Sequence, residues 1–271
     1  MKNTDDMRYL EELIVIKNEP IRPGYFRMRL RSEKISSSLS PGQFVHLRIS
    51  DTTDPLLRRP FSFADAGKGW FEIIYEVVGK GTKLMSDMRP GALISALGPL
   101  GNGFYLTPLP NYALVVGGGT GVASLIMLAR RMVELGVQTT FLIGARSADR
   151  LLCLEEIRSF GCEVMAATDD GTFGFKGTVP QLMRKVIDER ELDKVGTTIY
   201  ACGPMPMLIE MAELRKGFPA FVSLESVMGC GLGVCLGCVV PIRDGGYERV
   251  CTEGPVFNAD RIDWGKIRSW L

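Results

Sequence analysis

Four cysteines near the end of the chain are spaced to hold metal. Cys230, Cys235, Cys238 and, after twelve further residues, Cys251 read C-x4-C-x2-C…C. Four thiolates ligate a [2Fe-2S] cluster with this spacing, and such a cluster moves one electron at a time. One tight loop plus a return strand can wrap them around the two irons. Gly231, Gly233 and Gly237 lie between the ligands. They let backbone N–H groups turn toward the sulfides, and those hydrogen bonds help set a potential. Structural zinc and plain buried cysteines are the competing readings, but zinc ribbons pair two C-x2-C knuckles and only one knuckle here is short. Cys153 and Cys162 fall on or after a helical pattern and read as buried structural thiols.

Three further stretches could hold a flavin dinucleotide. Arg59-Pro60-Phe61-Ser62 ends a loop in a β-rich region. An arginine beside a serine can hold a pyrophosphate while the adjoining backbone edges the flavin ring. Val78-Gly79-Lys80-Gly81-Thr82 is a Gly-rich turn, expected to open a short helix over residues 83–88 whose N–H groups suit the same phosphates. Gly98-Pro99-Leu100-Gly101-Asn102-Gly103 is a third turn, expected to close over the site. Each alone is an ordinary loop. Their order points to FAD.

A second phosphate cradle follows. Gly117-Gly118-Gly119-Thr120-Gly121 ends a buried strand and opens a helix, so small residues and a helix N-terminus meet an anion together. It is not G-x-G-x-x-G, and the standard dinucleotide fingerprint does not apply. Cys202-Gly203-Pro204-Met205 repeats the strand-to-helix turn on the same sheet edge. Cys202 has two readings: it faces a nicotinamide, or it fills the turn. Arg146 either contacts an adenosine ribose or phosphate, or is a solvated surface residue. His46, in an alternating strand, reads as a structural histidine with satisfied partners.

These motifs need a scaffold. The chain has 271 residues, which is roughly two domains at about 150 residues each. It is 46% hydrophobic and 23% charged, with a net charge of +1. No net field exists to draw nucleic acid or an anionic membrane surface. A single histidine excludes His-rich metal sites. Residues 1–6 are polar and acidic, with no apolar stretch behind them, so no leader is expected. Residues 91–129 carry no charge, but prolines and glycines interrupt them, which favours strand, turn and buried helix over a bilayer span. The expected compartment is cytoplasmic and reducing, where seven cysteines do metal or redox work.

Short strands are expected over residues 12–17, 25–30, 43–49 and 71–78, with a turn at Asn18-Glu19-Pro20; this rhythm suits a small β-barrel. After Pro108 and Pro110 strands alternate with helices. Strands are expected over 113–116, 139–143, 163–167 and 197–201. Helices are expected over 120–135, 149–160 and 204–216, with another opened by a Thr178…Gln181 capping box. That alternation means a parallel sheet covered on both faces. The last 45 residues hold no long element.

The order of these signals is similar to the ferredoxin–NADP reductase superfamily. Within it, residues 224–241 and 249–257 resemble the electron-transfer subunits of dihydroorotate dehydrogenase B, and the likeness spans essentially the whole chain. The resemblance implies a multidomain chain, β then α/β. It consists of a six-stranded antiparallel β-barrel binding FAD (residues 1–106), a parallel-sheet domain binding NAD (107–222) and a small [2Fe-2S] domain (223–271). Carried over residue by residue, FAD would meet Arg59, Pro60, Phe61, Ser62, Ile74, Tyr75, Glu76, Gly81 and Thr82. NAD would meet Gly118, Gly119, Thr120, Gly121, Cys202, Gly203 and Pro204, and iron would meet Cys230, Cys235, Cys238 and Cys251. The resemblance also implies an FMN-containing catalytic subunit that oxidises dihydroorotate in pyrimidine biosynthesis, in a two-plus-two heterotetramer. Two departures stand out. Ser124 occupies a place where the superfamily usually has proline, and Phe61 one often held by tyrosine.

The implied chemistry is a converter. NAD exchanges two electrons as hydride and the cluster carries one, so the flavin, which holds zero, one or two, stands between them. Hydride passes directly, and no acid–base residue is assigned. Three rival readings stay open. One is the small subunit of another NAD(P)H-dependent iron–sulfur flavoprotein reductase, of ferredoxin or sulfide type. The others are a non-catalytic iron–sulfur adaptor and a stand-alone flavin reductase. Leu232, Val234 and Leu236 either line a partner contact or shield the sulfides.

Overall fold

The computed structural model describes residues 7–269; the polar opening residues 1–6 lie outside the described residues. Strands β1 (Tyr9–Arg22), β2 (Tyr25–Arg31), β3 (Phe44–Arg48), β4 (Arg59–Gly67), β5 (Trp70–Glu76) and β6 (Leu93–Leu100) close a barrel in the order β1-β2-β5-β4-β3-β6. Every pairing in it is antiparallel. Alternation sends Met28, Leu30, Val45, Leu47, Phe71 and Ile73 inward to form the barrel core. Helices α1 (Glu33–Ser38) and α2 (Lys80–Ser86) lie in the connections.

Three local expectations change here. Asn18-Glu19-Pro20 is not a turn. β1 runs through it, bent by register shifts at Val15/Lys17 and Pro20/Arg22. Asn18 Nδ2 holds that stretch by donating to the carbonyls of Met85 (2.8 Å) and Met88 (3.1 Å). The flavin tetrapeptide opens a strand, β4, rather than ending a loop, and α2 starts at Lys80 instead of 83.

The second half is the expected strand–helix alternation: β7 (Tyr112–Gly118), α3 (Gly121–Glu134), β8 (Gln138–Ala145), α4 (Leu154–Ser159), β9 (Glu163–Thr168), β10 (Phe175–Lys176), α5 (Val179–Glu189), β11 (Thr197–Cys202), α6 (Met205–Leu214) and β12 (Ala220–Ser223). β7 lies in the middle of the sheet and all seven of its residues are buried. Its Leu114, Val115 and Val116 are each worth about 1.5–3 kcal/mol of apolar burial. Gly136 ends α3 in the left-handed region (φ 78°), where its N–H and that of Val137 return to the carbonyls of Val133 and Met132. The capping box of α5 is present: Gln181 N–H donates to Thr178 Oγ1 and Thr178 N–H to Gln181 Oε1. The helix expected over 149–160 is interrupted. A short 3-10 turn (Ala148–Arg150) precedes α4, and Cys153 between them adopts φ 57°. Arg27 of the barrel donates to the Cys153 sulfur (3.2 Å) and pairs with Glu156, holding this break against the barrel wall.

The C-terminal stretch carries β13 (Val239–Pro241), β14 (Tyr247–Arg249), β15 (Val256–Asn258) and α7 (Trp264–Arg268). β15 joins the main sheet, antiparallel to β12, giving the order β10-β9-β8-β7-β11-β12-β15. Cys238, Val240, Val250 and Phe257 belong to the same apolar layer as α5 and α6. The opposite sheet face, with α3, shares its core with Tyr25, Ala64 and Ile74 of the barrel. Among the described residues no helix is long and apolar enough to cross a membrane.

Candidate functional site

Two cavities meet where the barrel faces the carboxyl edge of the sheet. The first, about 560 Å³, is lined by Pro60, Phe61 and Ser62 from β4, and by Ile74, Tyr75 and Glu76 from β5. Thr82, Thr120, Ala123 and the segment from Ser223 to Met228 complete it. Eight of the residues expected to touch a cofactor are therefore brought together. The Tyr75 hydroxyl turns away and donates to Asn18 (3.0 Å), so this residue faces the cavity by its backbone edge. Phe61 sits edge-on to the Tyr75 ring (6.0 Å between centroids). Thr82 closes its turn by accepting from the N–H groups of Val78 (3.0 Å) and Gly79 (3.2 Å). Arg59 and Gly81 do not line this cavity but lie against each other: a methyl on Gly81 would stand 3.0 Å from Arg59 Nε.

The second cavity, about 470 Å³, is lined by Gly118, Gly119, Thr120, Arg146, Arg150, Asp169, Pro204 and Glu210, among others. Glu76 and Thr120 line both cavities, so the two open into each other there. The helix N-terminus at Thr120 carries no side-chain cap, and the N–H groups of Val122 and Ala123 turn back to the carbonyls of Gly119 (3.3 Å) and Thr120 (3.0 Å). The glycines divide the work. Gly119 (φ 53°) has nothing within 4 Å of where a side chain would stand. Gly121 would push a methyl to 2.5 Å from the Cys202 carbonyl, and Gly118 and Gly203 both pack on Met207. Cys202 lines neither cavity. It is fully buried beside Ser124 and Ser223, and burial pushes its thiol up to about 12. Ser124, the departure from proline, donates to the Gly121 carbonyl (2.9 Å) and so braces the turn.

The third element is the cysteine loop. Cys230 and Cys235 are partly or fully exposed, while Cys238 and Cys251 are buried. Leu232 and Cys235 N–H groups approach Cys230 Sγ at 3.4 and 3.5 Å. Burial raises that thiol, but the N–H groups of Cys235, Leu232 and Val234 outweigh it and bring it down to about 6. A loop that donates hydrogen bonds to sulfur fits a thiolate-bound cluster. Among the described residues no three His, Cys, Asp or Glu groups gather tightly enough for one metal ion. A two-iron cluster divides its four thiolates between two metals and asks for a wider set. The loop is tied down twice. Val250 N–H donates to the Cys238 carbonyl (2.9 Å), and Arg249 bridges Glu253 and the Gly233 carbonyl. In the stretch 98–103, Gly98, Pro99 and Leu100 finish β6, and Asn102 Nδ2 beyond them donates to the carbonyls of Thr252 (3.0 Å) and Glu253 (2.9 Å).

Sequence reasoning did not select Glu225, Met228, Tyr25 or Arg150. Glu225 and Met228 reach the first cavity because the chain leaves β12 across it. Arg150 pairs with Glu76 (3.1 Å) at the junction of the cavities. The only signal for these residues is their position in strand ends and crossings, which spacing does not reveal. A further cavity, about 730 Å³, lies between the barrel wall and residues 151–156. Its charged lining pairs with itself, Arg27 with Glu156 and Arg29 with Glu72.

Comparison with known proteins agrees with this geometry. Residues 115–213 match the oxidoreductase NAD-binding domain, and residues 225–263 match the iron–sulfur cluster binding domain of dihydroorotate dehydrogenase B. A chain of the solved NADH-dependent reduced ferredoxin-NADP oxidoreductase superimposes with a TM-score of 0.84 at 31% identity, covering 95% of this chain and 91% of that one. A ferredoxin NADP+ reductase from Neisseria gonorrhoeae with bound FAD and NADP shares the fold alone (TM-score 0.67, 15% identity, 77% of this chain and 91% of that one). Fold and site thus define an NAD-linked iron–sulfur oxidoreductase. The electron transfer subunit of dihydroorotate dehydrogenase B (NAD(+)) from Desulforamulus reducens is 41% identical over 252 residues, 90% of this chain and 94% of the relative. That from Geobacillus kaustophilus is 40% identical over 258 residues, 93% and 98%. The chain belongs to the family of dihydroorotate dehydrogenase B electron transfer subunits.

Proposed function

We propose that the chain carries electrons from an FMN-containing, dihydroorotate-oxidising catalytic subunit to NAD+, in a two-plus-two heterotetramer serving pyrimidine biosynthesis in the cytoplasm. When bound, a [2Fe-2S] cluster supplies single-electron transfer and FAD supplies the exchange between one electron and hydride. Cys230, Cys235, Cys238 and Cys251 would hold the cluster. Arg59, Pro60, Phe61, Ser62, Ile74, Tyr75, Glu76, Gly81 and Thr82 would hold FAD. The turns at Gly118, Gly119, Thr120, Gly121 and at Cys202, Gly203, Pro204 would shape the NAD site. The three duties follow the segments 1–106, 107–222 and 223–271.

One observation carries the reading. The segment leaving β12 lines the flavin-side cavity as far as Met228 and supplies Cys230 two residues later. A cluster on that loop and a flavin in that cavity are neighbours by chain connection alone. Val227, Leu232, Val234 and Leu236 are exposed around the loop, which supports a partner contact over internal shielding. The test is co-expression with the catalytic subunit and assay of dihydroorotate-driven NAD+ reduction. Cys235→Ser is expected to abolish it while flavin-dependent NADH oxidation by an artificial acceptor persists; a full rate in that variant contradicts the route. The likeness to the NADH-dependent ferredoxin-NADP oxidoreductase supports a second reading, the small subunit of another NAD(P)H-linked iron–sulfur reductase. Inertness toward dihydroorotate with activity toward ferredoxin would select it.

A further inference from the structure

The single histidine of the chain is buried with its ring against the cysteine loop. His46 on β3 is 0% exposed, and neither ring nitrogen makes a hydrogen bond of full geometry, although the backbone of Arg58 and of Cys230 faces the ring. The expected satisfied structural histidine therefore has backbone groups beside its ring but no hydrogen bond of full geometry. An apolar ring would fill the same space without leaving a buried donor unpaired. Its surroundings give the reason. On one side β3 pairs His46 with Pro60, a residue of the flavin-side cavity. On the other, the ring lies against the cysteine loop: a methyl on Gly231 would stand 2.7 Å from His46 Nδ1 and 3.4 Å from Cε1. Gly231 takes φ 69°, so glycine is favoured there both by backbone and by the ring it meets. Cys230, the first cysteine of the motif, is the next residue.

We propose that His46 is a positioning residue for the iron–sulfur cluster, its ring N–H donating to the Cys230 end of the loaded loop. The idea rests on the cysteines being cluster ligands. It does not depend on the charge of the ring, because imidazole and imidazolium both carry an N–H. The donor would fix the loop on the barrel strand that neighbours the flavin and would favour the reduced, more negative cluster.

One histidine makes the test site-specific. Untagged holoprotein grown on 15N-histidine is reduced with dithionite, and its cluster EPR signal is examined by pulsed hyperfine spectroscopy. A 15N coupling absent from the unlabelled sample is expected. A clear cluster signal without histidine coupling overturns the proposal and leaves the ligand assignment standing. Absence of any cluster signal overturns both. In His46→Phe with full iron and flavin content, the cluster potential should shift to more negative values, and His46→Gln, which restores an N–H donor, should recover part of the shift. An unchanged potential in His46→Phe overturns the proposal. If that variant does not fold, the pulsed measurement on the wild-type protein decides.

Discussion

Single glycines in the phosphate turn do separate jobs, and substitutions distinguish them. Gly121→Ala drives a methyl into the Cys202 carbonyl at 2.5 Å. Backbone has to move, and we expect a loss of about 1–3 kcal/mol, read as a lowered Tm. Gly119→Ala meets no atom and costs only the left-handed backbone, about 1–2 kcal/mol. Its methyl instead projects where a nucleotide would approach, so KM for NADH should rise several-fold. Equal KM in the two variants would contradict this division. Glu163 offers a pH test. Arg190 (2.6 Å) and Thr140 hold its carboxyl below the usual value of 4.5. A depressed carboxylate stabilises the fold fully above about 4.5 and loses that contribution as pH falls. The Tm gap between wild type and Glu163→Gln should therefore be present at neutral pH and shrink below that value; a gap independent of pH would contradict the assignment. At this scale the cysteine spacing was legible because ligand number and chain geometry impose it. The burial of Cys202 and of His46 was not, since both depend on what crosses over them.

Among the elements, the turn after β6 acts as a clamp. Asn102 gives two hydrogen bonds to the backbone around Cys251, each worth about 0.5–1.5 kcal/mol. Asn102→Ala should release iron to a chelator faster than wild type while flavin content stays level. Equal iron loss, or parallel loss of flavin, would contradict the clamp. Legibility was uneven here for physical reasons. Runs such as 113–116 and the α3 stripe announced themselves by burial period. β4 and β6 did not, because Pro60, Gly98 and Pro99 read as turn residues yet stand in barrel strands. The break at Cys153 was hidden because Arg27, more than a hundred residues away, holds it.

Across the whole molecule, barrel and sheet form one body. Arg130–Asp65 (2.8 Å), Arg150–Glu76 (3.1 Å) and Arg22 to the Leu151 carbonyl (3.1 Å) stitch the seam beside the shared apolar layer. That seam brings the two cavities together at Glu76 and Thr120, with the cysteine loop two residues past the lining of the first. The order of motifs in the sequence implied such a meeting, but Glu225 and Met228 enter it only through the path the chain takes after β12. A chain built for the proposed route exchanges hydride at one end and single electrons at the other. Anaerobic titration of the purified protein with NADH, followed by absorbance and low-temperature EPR, tests this directly. It should bleach a bound flavin and raise the EPR signal of a reduced [2Fe-2S] cluster in the same sample. A flavin that bleaches with no cluster signal, or a colourless protein holding zinc, would contradict it.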